Sequence, residues 1–330
     1  MTPADLSPCV VRAVRCAVAD GELPGEGEEG VVPQRVVVER TRPGGVGDYA
    51  TPVAFQIAKA VGRPPRDVAD VLARRLAAEP GIERVEVTGA GFLNFVLPAP
   101  SAPSVVRDAL VYDIVIRDVR GGAVFAALAD EAGLGLGLRE RVVRRSVLRL
   151  VCAQGGTECD LPEVLPVAPL AKRDSDVVAR YGAEAAHWRM LAVPARETPV
   201  FSEGLLLQGE GNEFFRVRYA HARARALVRN AAQLGFHPEA GEVDAPALLR
   251  ALADYPLALE AAAHHRAPER LARHLVELAD ALLDFQYRVL PQGDEKPSAA
   301  HRARLALAEA AGTVLAGGLA LLGIDAPERL

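Results

Sequence analysis

The stretch that decides the fold is NEFFRVRYAHARARALVRN, residues 212–230. Its apolar side chains recur every three or four positions, which predicts one buried stripe along a long helix. The predicted stripe consists of Phe214, Val217, Ala220, Ala224, Leu227 and Val228. Gly235 follows shortly after and predicts a turn. The stretch therefore predicts a long helix that packs against other helices through small residues.

The same stretch concentrates positive charge on a chain whose formal net charge is −5. Its five arginines are Arg216, Arg218, Arg223, Arg225 and Arg229. Two explanations are open at this stage. The arginines form the solvated face of a core helix, or they form a surface that contacts phosphate groups.

The composition sets broader limits. A chain of 330 residues predicts two or three domains, and an apolar fraction of 50% is enough for buried cores. No uninterrupted apolar run reaches the roughly 18 residues that span a bilayer, and the start MTPADLSPCV lacks a signal-peptide pattern. The four cysteines are too widely spaced for a zinc site and have no histidine nearby. We expect a cytoplasmic protein with reduced thiols, no metal, no membrane partner and no DNA partner.

Residues 1–100 predict a small α+β domain. An amphipathic helix is predicted over residues 1–20, an acidic glycine-rich loop over 21–30 and a strand over 31–39. Thr51 is predicted to cap a helix that begins at Pro52. A further helix over 65–78 precedes two short strands, 82–87 and 92–97.

Two patterns in this region resemble the additional N-terminal domain of arginyl-tRNA synthetases. The first consists of Asp48, Tyr49, Ala50, Thr51, Val53, Ala54, Gln56, Ala58, Gly62, Arg63, Pro65, Arg66, Asp67 and Ala69. The second consists of residues 85–87, Gly89, Gly91, Phe92, Asn94 and Phe95. In that family the domain contacts the elbow of tRNA, so the resemblance implies that Phe92, Asn94 and Phe95 contact RNA. The alternative is that both rings belong to the core and Asn94 caps a turn.

The resemblance resumes in the C-terminal half. DVVARYGAEAAHWRMLA, which starts at Asp176, resembles the helix at the end of the synthetase core, with His187 where the family commonly has arginine. The opening stretch then matches the family pattern N-x-x-(F/Y)-(Y/F)-V-x-YAHAR, which begins the helical anticodon-binding (DALR) domain. The resemblance implies that Asn212, Tyr219, His221 and Arg223 serve packing within this domain.

Later helices are predicted over residues 244–253, 256–263, 268–290 and 300–322. A second basic group, Arg266, Arg270 and Arg273, lies at the start of the third of these helices and is a second candidate for tRNA contact. His264 and His265 precede it, but they have no third ligand, so no metal site is predicted.

Residues 101–175 stand where the family has its catalytic nucleotide-binding fold. A strand is predicted over 111–119 and a helical region over 123–153, interrupted by GLGLGL at residues 133–138. The second helical part carries Arg139, Arg141, Arg144, Arg145 and Arg149. These arginines form a solvated face or a tRNA-backbone contact.

The catalytic signatures of the family are missing from the sequence. No two of the seven histidines stand three residues apart as in a His-x-Gly-His motif, and there are only three lysines. Lys172 lies where the family carries a mobile lysine loop. The family uses ATP, Mg²⁺ and arginine, but without these motifs we predict no cofactor and no catalytic residue.

We therefore predict a mixed, mainly α fold: an α+β domain (1–100), a shortened middle region (101–175) and an all-α anticodon-binding bundle (176–330). The predicted function is tRNA binding, with arginine tRNA as the expected partner and without aminoacylation. One alternative is an arginine–tRNA ligase. Another is a scaffold for a synthetase, a tRNA-modifying enzyme or a biosynthetic enzyme.

Overall fold

The structure is a computed structural model that describes residues 1, 3–24, 31–42, 44–121, 135–162, 164–171 and 173–330. For residues 113–121 and 158 it describes the backbone only. The described chain divides into two compact units, Met1–Ala99 and Pro100–Leu330. The first is a small α+β unit and the second is helical, which confirms the predicted mixed, mainly α fold.

The first unit packs helices against a small antiparallel sheet. Its helices are α1 (Leu6–Ala19), α2 (Val53–Val61) and α3 (Pro65–Leu76). Its strands are β1 (Glu39–Arg40), β2 (Tyr49–Thr51), β3 (Arg84–Thr88) and β4 (Phe92–Val96), in the order β1-β2-β4-β3. Tyr49 pairs with Phe95 and Thr51 with Leu93, so β4 lies inside the sheet.

The predicted strand over residues 31–39 is wrong, because only Glu39 and Arg40 join the sheet. Side chains supply hydrogen bonds to this segment instead. The Ser7 hydroxyl accepts from the Val36 amide at 3.2 Å, and the Thr51 hydroxyl donates to the Val37 carbonyl at 2.7 Å. The same Thr51 oxygen accepts from the Val53 amide at 3.3 Å, as a cap would, and α2 begins at Val53, one residue later than predicted.

The glycines of the β3–β4 turn allow a close approach to α3. Gly91 has a φ of +142°, and a Cβ there would lie 2.9 Å from the carbonyl carbon and oxygen of Pro65. The Arg66 guanidinium donates to the Gly89 carbonyl at 2.9 Å. Gly89, Gly91 and Arg66 of the family pattern thus have a structural role.

The second unit is a bundle built around its last helix. Its helices are α4 (Ala102–Gly121), α5 (Leu138–Ala153), α6 (Asp174–Tyr181), α7 (Ala183–Leu191), α8 (Glu213–Gln233), α9 (Pro246–His264), α10 (Pro268–Phe285) and α11 (Ala299–Leu321). Among the described helices, α11 alone has the length and apolar composition of a membrane span. The sequence search did not find it, because polar residues interrupt its apolar run. Since 78% of its 18-residue window is buried, its apolar surface belongs to the core.

Two secondary-structure predictions for this unit are wrong. Residues 111–119 lie within α4 and not in a strand. The two helices predicted over 244–253 and 256–263 are one helix, α9 (Pro246–His264), with Pro256 inside it. An interior proline costs about 3 kcal/mol. The burial of Leu252, Tyr255 and Leu259 around Pro256 offsets that cost.

The arginines of α5 organise the segment that follows it. Arg139 is buried and donates to three backbone carbonyls: Ala168 at 2.8 Å, Glu197 at 2.6 Å and Pro194 at 3.0 Å. Arg144 donates to the Pro162 carbonyl at 3.2 Å. Arg139 is therefore neither solvated nor available to RNA. The predictions for residues 123–134 and for Lys172 lie outside the described residues.

Candidate nucleic-acid interface

Asn212 fixes the start of α8. Its side-chain oxygen accepts from the amides of Phe214 at 3.1 Å and Phe215 at 3.4 Å. Its side-chain nitrogen donates to the carbonyls of Leu205 at 3.1 Å and Leu207 at 2.8 Å. One buried amide therefore caps the helix and also holds the loop that leads into it.

The inner face of α8 meets α11 at very short range. Ala220 and Ala224 are fully buried, and a Cβ on Gly312 would lie 2.7 Å from the Cβ of Ala224. The Nδ1 of His221 lies 2.9 Å from the Gly312 carbonyl oxygen, so Nδ1 carries the proton in this contact. Burial lowers the pKa of His221, although the bond to Gly312 opposes that effect. His221 is thus a neutral packing residue.

The arginines of α8 are partnered. Arg216 pairs with Asp280 at 2.9 Å and Arg218 pairs with Glu184 at 3.1 Å. Arg225 and Arg229 share Glu328, at 3.2 Å and 3.8 Å. The Nε of Arg223 donates to the side-chain oxygen of Gln286 at 2.6 Å. The four arginines of α8 predicted to contact tRNA are therefore all paired within the chain, with three carboxylates between them.

We call three aromatic side chains, Phe215, Tyr219 and Tyr287, the aromatic ridge. The rings of Phe215 and Tyr219 stack with centroids 5.6 Å apart and an angle of 14°. Tyr219 is 39% exposed, which differs from its predicted packing role. Tyr287 lies in the 3₁₀ turn after α10 and is 68% exposed. Flat, accessible rings of this kind stack on unpaired bases.

Two side-chain contacts place Tyr287 near the end of this ridge. Arg216 contacts Asp280 and, two turns later, Arg223 contacts Gln286, so α8 and α10 run in the same direction. Tyr219 lies between the two arginines in sequence and on the same side of α8. Tyr287 directly follows Gln286. The sequence identified Tyr219 only as a motif residue and missed Tyr287 as a surface residue.

The second basic group lies elsewhere on α10. Arg273 is exposed about two turns before Asp280. Arg270 is half-buried. Arg266 has a φ of +52° at the turn between α9 and α10 and donates to the Asp160 carbonyl at 2.8 Å. Arg266 and Arg273 are therefore the two exposed cations of this group.

The predicted contacts of the first unit separate into one surface residue and two interior residues. Phe92 is 44% exposed and rests edge-on against Phe55, with centroids 5.1 Å apart. Asn94 is buried, and its nitrogen donates to the Thr88 hydroxyl at 2.7 Å. Phe95 is fully buried. The side chains of Asn94 and Phe95 thus lie inside the unit, and of these three residues only Phe92 has an exposed ring.

Two family models match the chain. The model of the arginyl-tRNA synthetase N-terminal domain matches residues 10–97, and the model of the DALR anticodon-binding domain matches residues 217–330. The chain belongs to the arginyl-tRNA synthetase family. The family and its DALR domain imply tRNA binding. The second match contains most of α8 and all of α9, α10 and α11.

Known relatives agree with this assignment. The chain is 28% identical to an arginine–tRNA ligase of Frankia alni, in an alignment of 562 positions that covers all of both chains. The arginyl-tRNA synthetase of Thermus thermophilus superposes with a TM-score of 0.58, 16% identity and full coverage of both chains. That of Plasmodium falciparum gives a TM-score of 0.54, 9% identity and 99% coverage of both. The two structural matches show similarity of fold.

The alignment also shows where this member of the family differs. The 330 residues of this chain are spread over an alignment of 562 positions. At the other 232 positions the Frankia relative has a residue and this chain has a gap. Between the two matched domains the chain has only residues 98–216. This arginyl-tRNA synthetase-like chain is therefore much shorter than the relative it aligns with from end to end.

Proposed function

We propose that this chain is an arginyl-tRNA synthetase-like protein that binds tRNA without charging it. The C-terminal bundle contacts the anticodon stem-loop, the N-terminal unit contacts the elbow, and arginine tRNA is the partner. The observation that carries the proposal is the match to both flanking domains in a chain that leaves 232 positions of a ligase unfilled.

The histidines that the structure describes do not fit the ATP site of the family. That site uses two imidazoles three residues apart to stabilise phosphate charge as the adenylate forms. Here His221 is buried against Gly312, and His301 caps α11 through Ser298 at 2.8 Å. His264 and His265 contact each other on the turn after α9, with centroids 5.0 Å apart. Each of these imidazoles serves a local contact, so we derive no catalytic step for this chain.

The described side chains also form no recognisable metal site. Among the residues that the structure describes, no three His, Cys, Asp or Glu side chains converge as a metal site would require. The structure thus offers no basis for assigning a resident metal in the described ranges.

The candidate interface suggests how tRNA is held. Stacking on an aromatic side chain contributes about 1–3 kcal/mol for each base. The aromatic ridge offers two well-exposed rings, Tyr219 and Tyr287, and the N-terminal unit offers Phe92. Because the arginines of α8 are paired within the chain, we expect stacking to contribute a large share of the affinity. Phosphate contacts then require the acidic partners to exchange.

An electrophoretic shift with purified arginine tRNA, combined with arginine-dependent ATP–pyrophosphate exchange, tests the proposal. We expect a shift at micromolar protein and low salt, where phosphate contacts are strongest, and no exchange above background. The absence of a shift under those conditions would refute tRNA binding. Exchange that depends on arginine would instead make the chain a ligase.

One observation favours a second candidate, a protein scaffold. The internal pairing of Arg216, Arg218, Arg225 and Arg229 lowers the charge available to RNA. A scaffold would co-purify with a protein partner, such as a synthetase or a tRNA-modifying or biosynthetic enzyme, in the absence of RNA. Nuclease treatment before purification separates the two candidates, because only a scaffold retains its partner after the RNA is degraded.

A further inference from the structure

The C-terminal segment, residues 324–330, covers the basic end of α8. The Glu328 carboxylate lies 3.2 Å from Arg225 and 3.8 Å from Arg229. Arg229 also donates to the backbone carbonyl of Glu328 at 3.2 Å. Glu328 thus contacts both arginines at once. Its carboxylate lies near Arg225 and Arg229, and its backbone carbonyl accepts a hydrogen bond from Arg229.

The contacts that anchor this segment lie at its start, in residues 324–326. Ile324 is buried in the core of the bundle and Ala326 is half-buried against it. The amide of Asp325 donates to Glu184 at 3.0 Å, and Glu184 in turn pairs with Arg218. Beyond Pro327 the side chains are exposed, including 62% of the Glu328 side chain. Glu328 can therefore leave the arginines while the anchor at Ile324 stays in place.

The contact is weak enough to be exchanged. Ion pairs between exposed side chains contribute about 0.2–1 kcal/mol and are screened by salt. A phosphate group carries the same sign of charge as Glu328, and arginine binds phosphate through two parallel N–H donors. A chain of phosphates would therefore compete with Glu328 for Arg225 and Arg229.

We propose that Glu328 is an acidic latch that masks the Arg225–Arg229 pair and is displaced when a polyanion binds. This inference rests on the proposed function for the identity of that polyanion, a tRNA backbone. The latch itself concerns only the competition between a carboxylate and phosphate or sulfate groups. It sets a threshold: ligands with few negative charges do not displace Glu328, whereas a nucleic-acid backbone does.

The test compares the wild type with Glu328→Gln and with a control of equal charge, Glu242→Gln. Glu242 is exposed in the loop between α8 and α9, and no ion pair to it occurs in the described part of the chain. Each protein is eluted from immobilised heparin, and its affinity for arginine tRNA is measured at a series of KCl concentrations. The double variant Arg225→Gln/Arg229→Gln is made with and without Glu328→Gln.

We expect Glu328→Gln to elute from heparin at higher salt than the wild type and the Glu242→Gln control. For tRNA, which displaces Glu328 from the wild type, removal of the competing carboxylate should tighten binding about 1.4- to 5-fold, the equivalent of one exposed ion pair. Removing Arg225 and Arg229 should abolish this gain and should lower the slope of log affinity against log salt by about 1.4 to 1.8 in both backgrounds, because two phosphate contacts are lost. Equal elution of the Glu328→Gln and Glu242→Gln proteins, or a gain that survives loss of both arginines, would overturn the latch. A heparin effect without any tRNA binding would instead refute the proposed function and leave the latch supported.

Discussion

The Nδ1 of His221 and the carbonyl oxygen of Gly312 lie 2.9 Å apart at the contact between α8 and α11. This distance explains two letters of the YAHAR motif. The small, fully buried Ala220 and Ala224 let the helices approach, and the imidazole satisfies a backbone group at this contact. The motif therefore encodes a helix crossing, and the exposed ring of Tyr219 lies on another side of α8.

Gly312→Ala should destabilise the protein because the new Cβ would lie 2.7 Å from the Cβ of Ala224. Overpacking of this kind costs about 1–3 kcal/mol, whereas alanine in a helix otherwise gains up to about 1 kcal/mol over glycine. Urea unfolding measures the sign directly. Adding Ala224→Gly should recover part of the loss. A stabilised Gly312→Ala protein would show that the two helices are not in such close contact.

Stability should fall as the pH is lowered through the range in which His187 titrates. Burial, then Arg149 and Arg145, lower the pKa of His187 in the folded protein. The unfolded chain therefore binds a proton more readily, with an ordinary pKa of about 6.5. The contribution of His187 to the free energy of unfolding is complete above a pH of about 6.5. It is lost as the pH falls from there through the lowered pKa of the folded state.

Urea unfolding at pH 7.5 and 5.5 checks this prediction in the wild type and in His187→Gln. The variant should lose less stability between the two values. His221, whose pKa is also lowered, acts in the same direction, and Glu269, whose pKa is raised by burial, acts in the opposite direction. His221 and Glu269 are present in the wild type and in His187→Gln, so their effects on stability cancel when the two proteins are compared. An equal loss in the two proteins would contradict the prediction.

Arg139→Met should be strongly destabilising, because the three carbonyls that accept from this buried guanidinium lose their donors. A buried acceptor left unsatisfied costs about 1–3 kcal/mol. Arg107→Met is the matched control, since Arg107 is exposed on α4 and should change stability by no more than about 0.5 kcal/mol. Similar unfolding midpoints for the two variants would show that Arg139 does not hold the segment after α5.

Tyr287→Ala should weaken tRNA binding and leave the fold intact, because the ring is 68% exposed. Loss of one stacked base corresponds to about 1–3 kcal/mol, or about 5- to 150-fold in the dissociation constant. Fluorescence anisotropy with labelled arginine tRNA gives the constant. Leu234→Ala, which truncates an apolar side chain that is 54% exposed at the end of α8, is the control and should bind like the wild type.

The sequence predicted the bundle better than its surface. Helix α8 follows from a regular apolar stripe, which is a local signal, whereas the capping role of Asn212 is seen only in the structure. The segment 111–119 was predicted as a strand because it is rich in β-branched residues, but packing of α4 against α11 overrides that preference. The partners of the α8 arginines come from α7, α10 and residue 328. Such pairing depends on tertiary contacts that no local pattern contains.

The measurement that tests the central claim most directly is ultraviolet crosslinking of the intact protein in extract from its own cells, followed by sequencing of the attached RNA. The account predicts strong enrichment of arginine tRNA over total RNA, with crosslinks in the anticodon stem-loop that decrease in Tyr287→Ala. Crosslinked RNA with the composition of the input, or no crosslinked RNA, would contradict it.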